Sequence, residues 1–261
     1  MSEFFEKHSV PFDAELRKQV DLLWPREAEC LERHGLTEAK TVLDLGTGNG
    51  YFLSRLAERH PGKSFTGIES SPSLAAVART WGGQAPNMRT LEGACPLPSV
   101  KDRYDLVLAR LSLYSMPDRE AVLRWARGLL TEGGRIAVID IDDSLKTSWP
   151  TEGFWKPFVE GMSREIGPGA DRRLGRKLPH LLAKAGYRDV RVELQPFYSS
   201  FDLGPKAFSD FWGGTARQMA EADSSIFGAG GVEKVLASVA RVAASPDETA
   251  LTFTCVVSAR G

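Results

Sequence analysis

The stretch that runs from Thr41 to Phe52, TVLDLGTGNGYF, constrains the fold more than any other part of the 261-residue chain. Val42, Leu43 and Leu45 form a short apolar run that suits a buried parallel strand. Three glycines then favour a tight turn, and the apolar positions that follow recur at helical spacing. A strand, a glycine loop and a helix in this order let the backbone approach a nucleotide-like ligand closely at the carboxyl end of the strand.

The glycine spacing separates classes of nucleotide-binding loop. A dinucleotide fingerprint, G-x-G-x-x-G, would need a glycine where this chain has Tyr51, because the third glycine here is Gly50. A phosphate-binding P-loop would continue into Gly-Lys-Ser/Thr, and that sequence does not follow. The loop therefore favours a ligand without a pyrophosphate.

The pattern VLDLGTGNG resembles the first motif of class I S-adenosylmethionine (SAM) dependent methyltransferases. The resemblance implies SAM as the cofactor and S-adenosylhomocysteine as its product. It also implies that Gly46, Thr47 and Gly48 lie under the methionine end and ribose of SAM, while Asp44 steadies the loop. This motif alone leaves open a glycine turn of another α/β protein.

A second strand is indicated over residues 65 to 68, and it ends at Glu69. An acid about 20 residues beyond the glycine loop can hold a ribose diol through charge-assisted hydrogen bonds. The methyltransferase resemblance implies this role for Glu69, with Ser70 beside it. Ser71 and Pro72 then predict a helix start, with Ser71 as the N-cap and proline at the first helical position.

A third strand is predicted from Asn87 to Leu91, and the segment after it resembles the one that lies along the adenine ring in the same family. The resemblance assigns Gly93, Ala94 and Cys95 to the cofactor. Gly93 departs from the family pattern, since many relatives carry Asp there, so the side-chain acceptor for the adenine amino group is missing. Backbone atoms of Ala94 and Cys95, or a water, could replace it.

The fourth strand is predicted over Tyr104 to Arg110. By resemblance, backbone at Arg110 and Leu111 lies beside the transferable methyl group, and the side chains that follow, Tyr114 among them, face the acceptor. The Asn/Asp-Pro-Pro-Tyr signature of amino methylation on DNA bases or glutamine is absent. Ser115 stands where small-molecule relatives often have His, which weakens the transfer of a His base to this site.

No metal is expected. Asp140, Asp142 and Asp143 accompany the fifth strand, but no acid ends the fourth, and the magnesium-dependent catechol-type relatives take ligands from both strand ends. The three cysteines are far apart, so they suggest neither a disulfide framework nor a zinc site. The basic cluster Arg172, Arg173, Arg176 and Lys177 is interpreted as a solvated loop and helix start, against the alternative of an anion clamp.

Alternating strand and helix patterns predict an α/β fold. We expect a doubly wound, mostly parallel seven-stranded sheet whose last strand is antiparallel, with helices on both faces and added lid helices. Residues 1–40 are predicted to form an N-terminal helical lid. Residues 41–261 are predicted to form the SAM-binding methyltransferase domain, with acceptor-side insertions at about 141–173 and 199–247.

Aromatic side chains concentrate in the N-terminal segment and in both insertions. If these elements fold over the same carboxyl edge of the sheet, their rings would line an apolar acceptor cavity, although packing between added helices is the alternative. The predicted pocket residues are Phe12, Trp24, Tyr114, Trp149, Trp155, Phe158, Phe197, Phe201 and Trp212. The candidate proton acceptors are Tyr114, His8 and Asp142, needed only where the nucleophile must lose a proton.

Net charge and the absence of targeting signals limit the partners and the cellular location that we expect for this protein. The formal net charge of −1 gives no electrostatic footprint for nucleic acid or an anionic membrane. The first residues carry acids where a signal peptide needs a basic region, and no apolar run reaches membrane-spanning length, so a cytoplasmic location is expected. We therefore predict methyl transfer to an O, N or C nucleophile of a small molecule, as in natural product biosynthesis. The alternatives are RNA or protein methylation, or a SAM-fold protein that uses SAM otherwise.

Overall fold

The computed structural model describes residues 2–150, 153–165, 169–199, 203–228 and 230–261, with no side-chain description for 2–12, 163–165 and 222. Phe201, a predicted pocket residue, lies outside the described residues. The side chains of His8 and Phe12 lie outside them as well, so their predicted roles stay predictions. None of the described helices is both long enough and apolar enough to cross a membrane.

An eight-stranded sheet forms the centre of the molecule. Its strands are β1 Thr41–Leu45, β2 Ser64–Glu69, β3 Met88–Glu92, β4 Tyr104–Arg110, β5 Leu130–Ile141, β6 Thr147–Trp149, β7 Arg188–Tyr198 and β8 Thr249–Arg260. Along the sheet the order is β3-β2-β1-β4-β5-β8-β6, and β7 also pairs with β8. The first five strands are parallel, whereas β8 runs antiparallel to β5, β6 and β7. The predicted mostly parallel sheet with an antiparallel last strand is confirmed.

The strand that the sequence prediction did not include is β6. Its three residues pair with Thr249–Leu251 at the start of β8. A three-residue strand is too short to show the alternation of apolar and polar residues by which strands are recognised in a sequence. This explains why the sheet has one strand more than the predicted seven.

Helices cover both faces of the sheet. They are α1 Ser2–Leu31, α2 Tyr51–Arg59, α3 Pro72–Gln84, α4 Arg119–Gly128, α5 Lys156–Glu165, α6 Leu178–Lys184, α7 Pro205–Ala222 and α8 Gly231–Ala244. The Ser71 side chain caps α3 by accepting a hydrogen bond from the Leu74 amide, as the sequence predicts. Helix α4 ends at Gly128, and β5 begins at Leu130.

The central strand β4 shows why the fold needs two helical layers. Leu106 and Leu108 are buried on one face with residues of α1 and α2, while Val107 and Ala109 are buried on the other with residues of α4 and α6. All four side chains are almost completely inaccessible to solvent. A parallel strand buried on both faces reads as a continuous apolar run, which is how the sequence reveals it.

A third buried cluster joins α5, α7 and α8 next to the first residues of β8. Five of its aromatic rings are Phe154, Trp155, Phe158, Phe208 and Trp212. Trp155 and Trp212 pack edge to face with their ring centroids 4.6 Å apart. The two insertions therefore share a core of their own, which we call the α5–α7–α8 core.

Candidate active site

A cavity of about 700 Å³ lies at the carboxyl edge of the parallel strands. Its floor is made by the loops after β1, β2, β4 and β5, and its walls come from α1 and α7. We call the part lined by Gly46, Glu69 and residues 93–95 the β2 side, and the part lined by Tyr114, Lys146, Arg172 and Trp212 the β5 side. The volume falls within the range of about 300–1,000 Å³ that is usual for small-molecule sites.

The glycine loop after β1 forms the floor of the β2 side. The backbone amides of Gly46 and Thr47 both donate to the Ile68 carbonyl at 2.9 Å, which folds the loop back onto β2. Gly46 and Gly48 have φ angles of 73° and 60°, in the left-handed region. A Cβ atom on Gly46 would lie 2.8 Å from the Ser112 Cβ. The loop thus needs glycine both for its conformation and for its close packing, and it leaves a backbone cradle open to a ligand.

The Glu69 carboxylate stands at the end of β2 and is 7% exposed. One oxygen accepts a hydrogen bond from the Gly48 amide at 2.9 Å, and the other accepts one from the Ser71 amide at 2.8 Å. The Gly93 amide donates to the Glu69 carbonyl at 2.8 Å, which places residues 93–95 beside the acid. Two amide donors fix a carboxylate that still lines the cavity, so the acid is preorganised to accept ligand hydroxyls.

Asp44 lies under the glycine loop and is 2% exposed, outside the cavity lining. Burial raises the pKa of Asp44 to about 7, while the nearby Thr47 and the positive charge of Arg110 act in the opposite direction. The predicted loop-steadying role of this acid stays a prediction. The other ten residues assigned to the cofactor line the cavity: Gly46, Thr47, Gly48, Glu69, Ser70, Gly93, Ala94, Cys95, Arg110 and Leu111.

The end of β4 connects the floor to α1. Arg110 donates from Nε to Glu27 Oε2 at 2.6 Å and from Nη1 to Gln19 Oε1 at 3.2 Å. Leu111 has a φ of 49°, and its amide donates to the Ile139 carbonyl at 2.7 Å. A left-handed conformation costs a non-glycine residue roughly 1–2 kcal/mol, so this turn is held by its surroundings at a point that lines the cavity.

Two cations meet one buried acid on the β5 side. Lys146 Nζ and the Arg172 guanidinium both bind Asp143, and the Arg172 Nη2–Asp143 Oδ1 distance is 3.1 Å. Burial would raise the pKa of Asp143, but the two cations hold it below its usual value. Burial also lowers the pKa of Lys146, against the charge of Asp143. The interpretation of Arg172 as a solvated loop residue is wrong, because its side chain is 12% exposed and lines the cavity.

Asp142 does not serve as the predicted proton acceptor. Its carboxylate accepts hydrogen bonds from Arg176 Nε at 2.5 Å and from the Ser144 amide at 3.1 Å. Burial raises its pKa, but these hydrogen bonds outweigh burial and lower it overall. The residue does not line the cavity. We correct the prediction accordingly: Asp142 anchors the turn after β5 to the segment that carries Arg176.

Four of the predicted pocket rings lie elsewhere. Trp149 is 66% exposed on β6. Trp24 packs on the Phe52 ring at 5.6 Å, outside the cavity lining. Trp155 and Phe158 belong to the α5–α7–α8 core, where Trp155 Nε1 donates to the Thr147 carbonyl at 2.8 Å. Aromatic composition shows neither whether a given ring is buried nor which surface it packs against, and this is why the sequence prediction was wrong here. The predicted rings that do line the cavity are Tyr114, Phe197 and Trp212.

Several polar residues of the lining carry no sequence motif. They are Glu15, Gln19, Lys146, Gln218 and Thr254. Among the described residues, no hydrogen-bond partner is present for the buried atoms Glu15 Oε2, Arg110 Nη2, Trp212 Nε1, Gln218 Nε2 and Thr254 Oγ1. Buried polar groups are normally hydrogen-bonded, so these atoms suit the polar groups of a ligand. The one available signal is the position of Lys146, a cation three residues after the acid Asp143.

One group of metal-ligand side chains occurs in the described part of the chain. The ligand atoms of Cys30, His34 and Glu193 all lie within 4.8 Å of one another, and none of the three residues lines the cavity. His34 Nδ1 is 2.8 Å from Ser258 Oγ, and Glu193 also binds Arg33 Nη2 at 2.5 Å. The guanidinium of Arg33 already neutralises the carboxylate, so the group has the character of a polar network between α1, β7 and β8.

Comparison with known proteins agrees with this architecture. A family model described as a methyltransferase domain matches residues 13–204. The trans-aconitate 2-methyltransferase of Delftia acidovorans is 32% identical over 183 residues, which cover 69% of this chain and 60% of the relative. The demethylmenaquinone methyltransferase of Thermus thermophilus is 33% identical over 124 residues, covering 46% of this chain and 55% of the relative. The chain thus spans little more than half the length of these curated relatives.

Solved structures show the same fold. A SAM-dependent methyltransferase from Thermotoga maritima superimposes with a TM-score of 0.62 at 16% identity, over 100% of this chain and 99% of that one. The cyclase SpnF superimposes with a TM-score of 0.55 at 18% identity, over 90% of this chain and 80% of that one. The glycine loop, the acid that ends β2 and the sheet order therefore have one common explanation: this chain belongs to the class I SAM-dependent methyltransferase family.

Proposed function

We propose that this protein transfers the methyl group of SAM to a nucleophile on a small organic molecule that binds in the same cavity. The observation that carries the proposal is the position of the fixed Glu69 carboxylate and the open glycine cradle at one end of a cavity that continues past β4 to α7. When bound, SAM supplies a methyl group activated by the sulfonium. The protein would then align the acceptor nucleophile with this methyl group and exclude water from the cavity.

The β2 side fits SAM residue by residue. Glu69 would accept hydrogen bonds from the ribose hydroxyls, and the loop of Gly46 and Gly48 would pass under the ribose and the methionine end. Residues 93–95 would lie along the adenine, in contact through backbone atoms, since Gly93 offers no side-chain acceptor. Cys95 is not a nucleophile in this scheme, because burial raises the pKa of its thiol to about 12.

Helix α1 acts as a lid in this proposal. Leu16, Gln19 and Val20 line the cavity from its side, and Leu16 lies over the glycine loop, 3.8 Å from the position of a Cβ on Gly48. Asn49 Nδ2 donates to Asp13 Oδ1 at 2.8 Å and so attaches the loop to the helix. These contacts would seal the β2 side from solvent after SAM binds.

The β5 side would hold the acceptor. Tyr114 lines it, and the Tyr114 amide donates a hydrogen bond to the Asp140 carboxylate at 3.0 Å, which fixes the backbone at this residue. Of the three predicted proton acceptors, Tyr114 is the one that the structure shows in the cavity lining, so its phenol is our candidate for proton transfer. A neutral amine or an electron-rich carbon would need alignment alone. The names of the relatives, trans-aconitate and demethylmenaquinone methyltransferase, support a small organic acceptor for this chain, and a cytoplasmic location is part of the same proposal.

Calorimetry and a labelling assay test the proposal together. SAM and S-adenosylhomocysteine should bind with micromolar affinity, and NAD should not, because the loop lacks the third glycine of a dinucleotide site. Incubation with methyl-labelled SAM and metabolite extracts should place the label on a small molecule. NAD binding without SAM binding would refute the family-based assignment of the cofactor. SAM binding with the label retained in SAM would favour a reaction other than methylation.

A further inference from the structure

The β5 side of the cavity carries an excess of positive charge. Within the described part of the chain, Asp143 is the one acid that forms an ion pair with Lys146 or with Arg172, and these two side chains are only 5% and 12% exposed. Both cations line the cavity, while Asp143 does not. A buried positive charge that is only partly compensated is unfavourable, and an anion supplied by a ligand would complete the compensation.

A neutral donor lies next to these cations. Lys146 Nζ is 5.8 Å from the centroid of the Trp212 ring, and Trp212 lines the cavity. The indole Nε1 is buried and has no hydrogen-bond partner among the described residues. An indole nitrogen can only donate, so it requires an acceptor atom. The Arg172 guanidinium lies 5.7 Å from the Tyr114 ring centroid.

Apolar side chains of Phe197, Phe211 and Met219 also line the cavity, beside the uncharged polar residues Gln218 and Thr254. Electrostatic interactions are stronger in such surroundings than in water. Two acids of the described residues also line the cavity, Glu15 and Glu69. Glu69 belongs to the β2 side, while Glu15 stands on α1, beside Gly214 of α7, and Lys18 Nζ binds its Oε1 at 2.7 Å. The cationic and apolar groups thus select for a molecule with one anionic group on an apolar body.

We propose that the acceptor carries a carboxylate, which binds to Lys146 and Arg172 and accepts a hydrogen bond from Trp212 Nε1. This inference rests on the proposed function, because it names the class of molecule that the methyltransferase modifies. The carboxylate serves as the anchor that orients the acceptor, and the two cations are specificity-determining residues.

Matched pairs of acids and amides test the inference. The protein, saturated with S-adenosylhomocysteine, is titrated with cinnamate, 3-phenylpropanoate and benzoate, and with the neutral amide of each, while tryptophan fluorescence and calorimetry report binding. We expect at least one acid to bind ten-fold or more tightly than its amide. Equal binding within every pair, or no binding by any of the acids, overturns the inference.

Substitutions identify the side chains that cause the preference for an acid over its amide. Lys146→Met and Arg172→Met should each reduce the acid-to-amide ratio by ten-fold or more, whereas Lys177→Met, which removes an exposed cation outside the lining, should leave it unchanged. Trp212→Phe keeps the ring packing and removes only the donor, so it tests the site if loss of a cation unfolds the protein. An unchanged ratio in Trp212→Phe and in the folded cation variants contradicts the inference. The affinity of each protein for S-adenosylhomocysteine is measured by calorimetry before these titrations. If the wild-type protein does not bind S-adenosylhomocysteine, that result counts against the proposed function instead.

Discussion

The Glu69 carboxylate accepts a hydrogen bond from the Gly48 amide at 2.9 Å, so the acid that ends β2 is tied to the loop that ends β1. The two elements most directly implied in cofactor binding therefore hold each other in place. Loss of the carboxylate should loosen the glycine loop as well as remove the ribose acceptor.

Replacement of Glu69 by Ala should weaken SAM binding by roughly 1.5–3 kcal/mol, the usual range for a hydrogen bond to a charged group. Calorimetry with SAM and S-adenosylhomocysteine measures the change. Glu92→Ala is the matched control, since Glu92 pairs with Glu69 in the sheet register but forms an exposed ion pair with Arg79. Equal losses in the two variants would show that the effect is not specific to the site.

Replacement of Gly46 by Ala should both destabilise the protein and reduce SAM affinity. The φ of 73° strains any residue with a Cβ, and that Cβ would lie 2.8 Å from Ser112 Cβ. We expect a loss of about 1–3 kcal/mol in the free energy of unfolding, measured by urea denaturation. Gly62→Ala, where nothing lies within 4 Å of the new Cβ, should stay close to wild type.

The buried Asp44 should make stability depend on pH in a defined direction. Its folded pKa of about 7 exceeds that of a free aspartate, so the folded state retains this proton where the unfolded state has released it. The contribution of Asp44 to stability is therefore fully present below about pH 4 and is lost as the pH rises through 7.

The Asp44→Asn variant isolates this effect. Melting temperatures of the unliganded proteins between pH 4.5 and 8.5 should show wild type losing stability relative to the variant as pH rises, by a few kcal/mol at most. Asp105→Asn should show the opposite trend. Burial raises the pKa of Asp105, but hydrogen bonds, foremost from the Lys40 amide, lower it overall, so its contribution is lost as pH falls. A pH-independent difference for Asp44→Asn would contradict the prediction.

Two tryptophans in contact should respond differently to substitution. Trp155→Ala opens a cavity in the α5–α7–α8 core and should cost about 3–5 kcal/mol of unfolding free energy. Trp212→Phe should change stability little and should impair acceptor use, because Trp212 lines the cavity and Trp155 does not. SAM affinity, measured in parallel, should stay near wild type in both. A larger loss of SAM affinity than of acceptor use would show that α7 closes on the cofactor.

Methyl transfer should persist in EDTA. The acids after β5 are engaged with cations of the chain, since Asp142 binds Arg176 and Asp143 binds both Lys146 and Arg172. A divalent metal would have to displace these partners. The labelled-SAM assay with and without EDTA measures this, and activity that is lost on chelation and restored by magnesium would reverse the conclusion.

The parts of the fold that the sequence predicted well are those in which local signals act alone. The apolar run of β4 and its bounds, Tyr104–Arg110, agree with the structure, and so does the start of α3 after Ser71. The loop of Gly46 and the acid Glu69 were identifiable because their spacing reflects the path from β1 through α2 to β2. The three-residue β6 gave no comparable signal.

The β5 side was not predictable in the same way. Trp155 and Trp212 are both buried aromatic residues in insertions, yet only Trp212 reaches the cavity. That outcome depends on how α5 and α7 pack against each other. A single basic cluster without interleaved aromatic residues predicts a solvated Arg172, whereas its partner Asp143 lies 29 positions away in the sequence. Long-range pairings of this kind decide which residues reach the ligand.

The separate α5–α7–α8 core has a consequence for how this protein can change its selectivity. Trp212 belongs to that core and also lines the cavity, whereas Glu69 and the glycine loop are supported from the sheet. Substitution of Phe158, whose ring centroid lies 5.2 Å from that of Trp212 and which does not line the cavity, can therefore change the orientation of the indole without disturbing the glycine loop. Natural or directed evolution can therefore change acceptor selectivity by substituting core residues that pack on Trp212. The residues proposed to bind SAM stay unchanged.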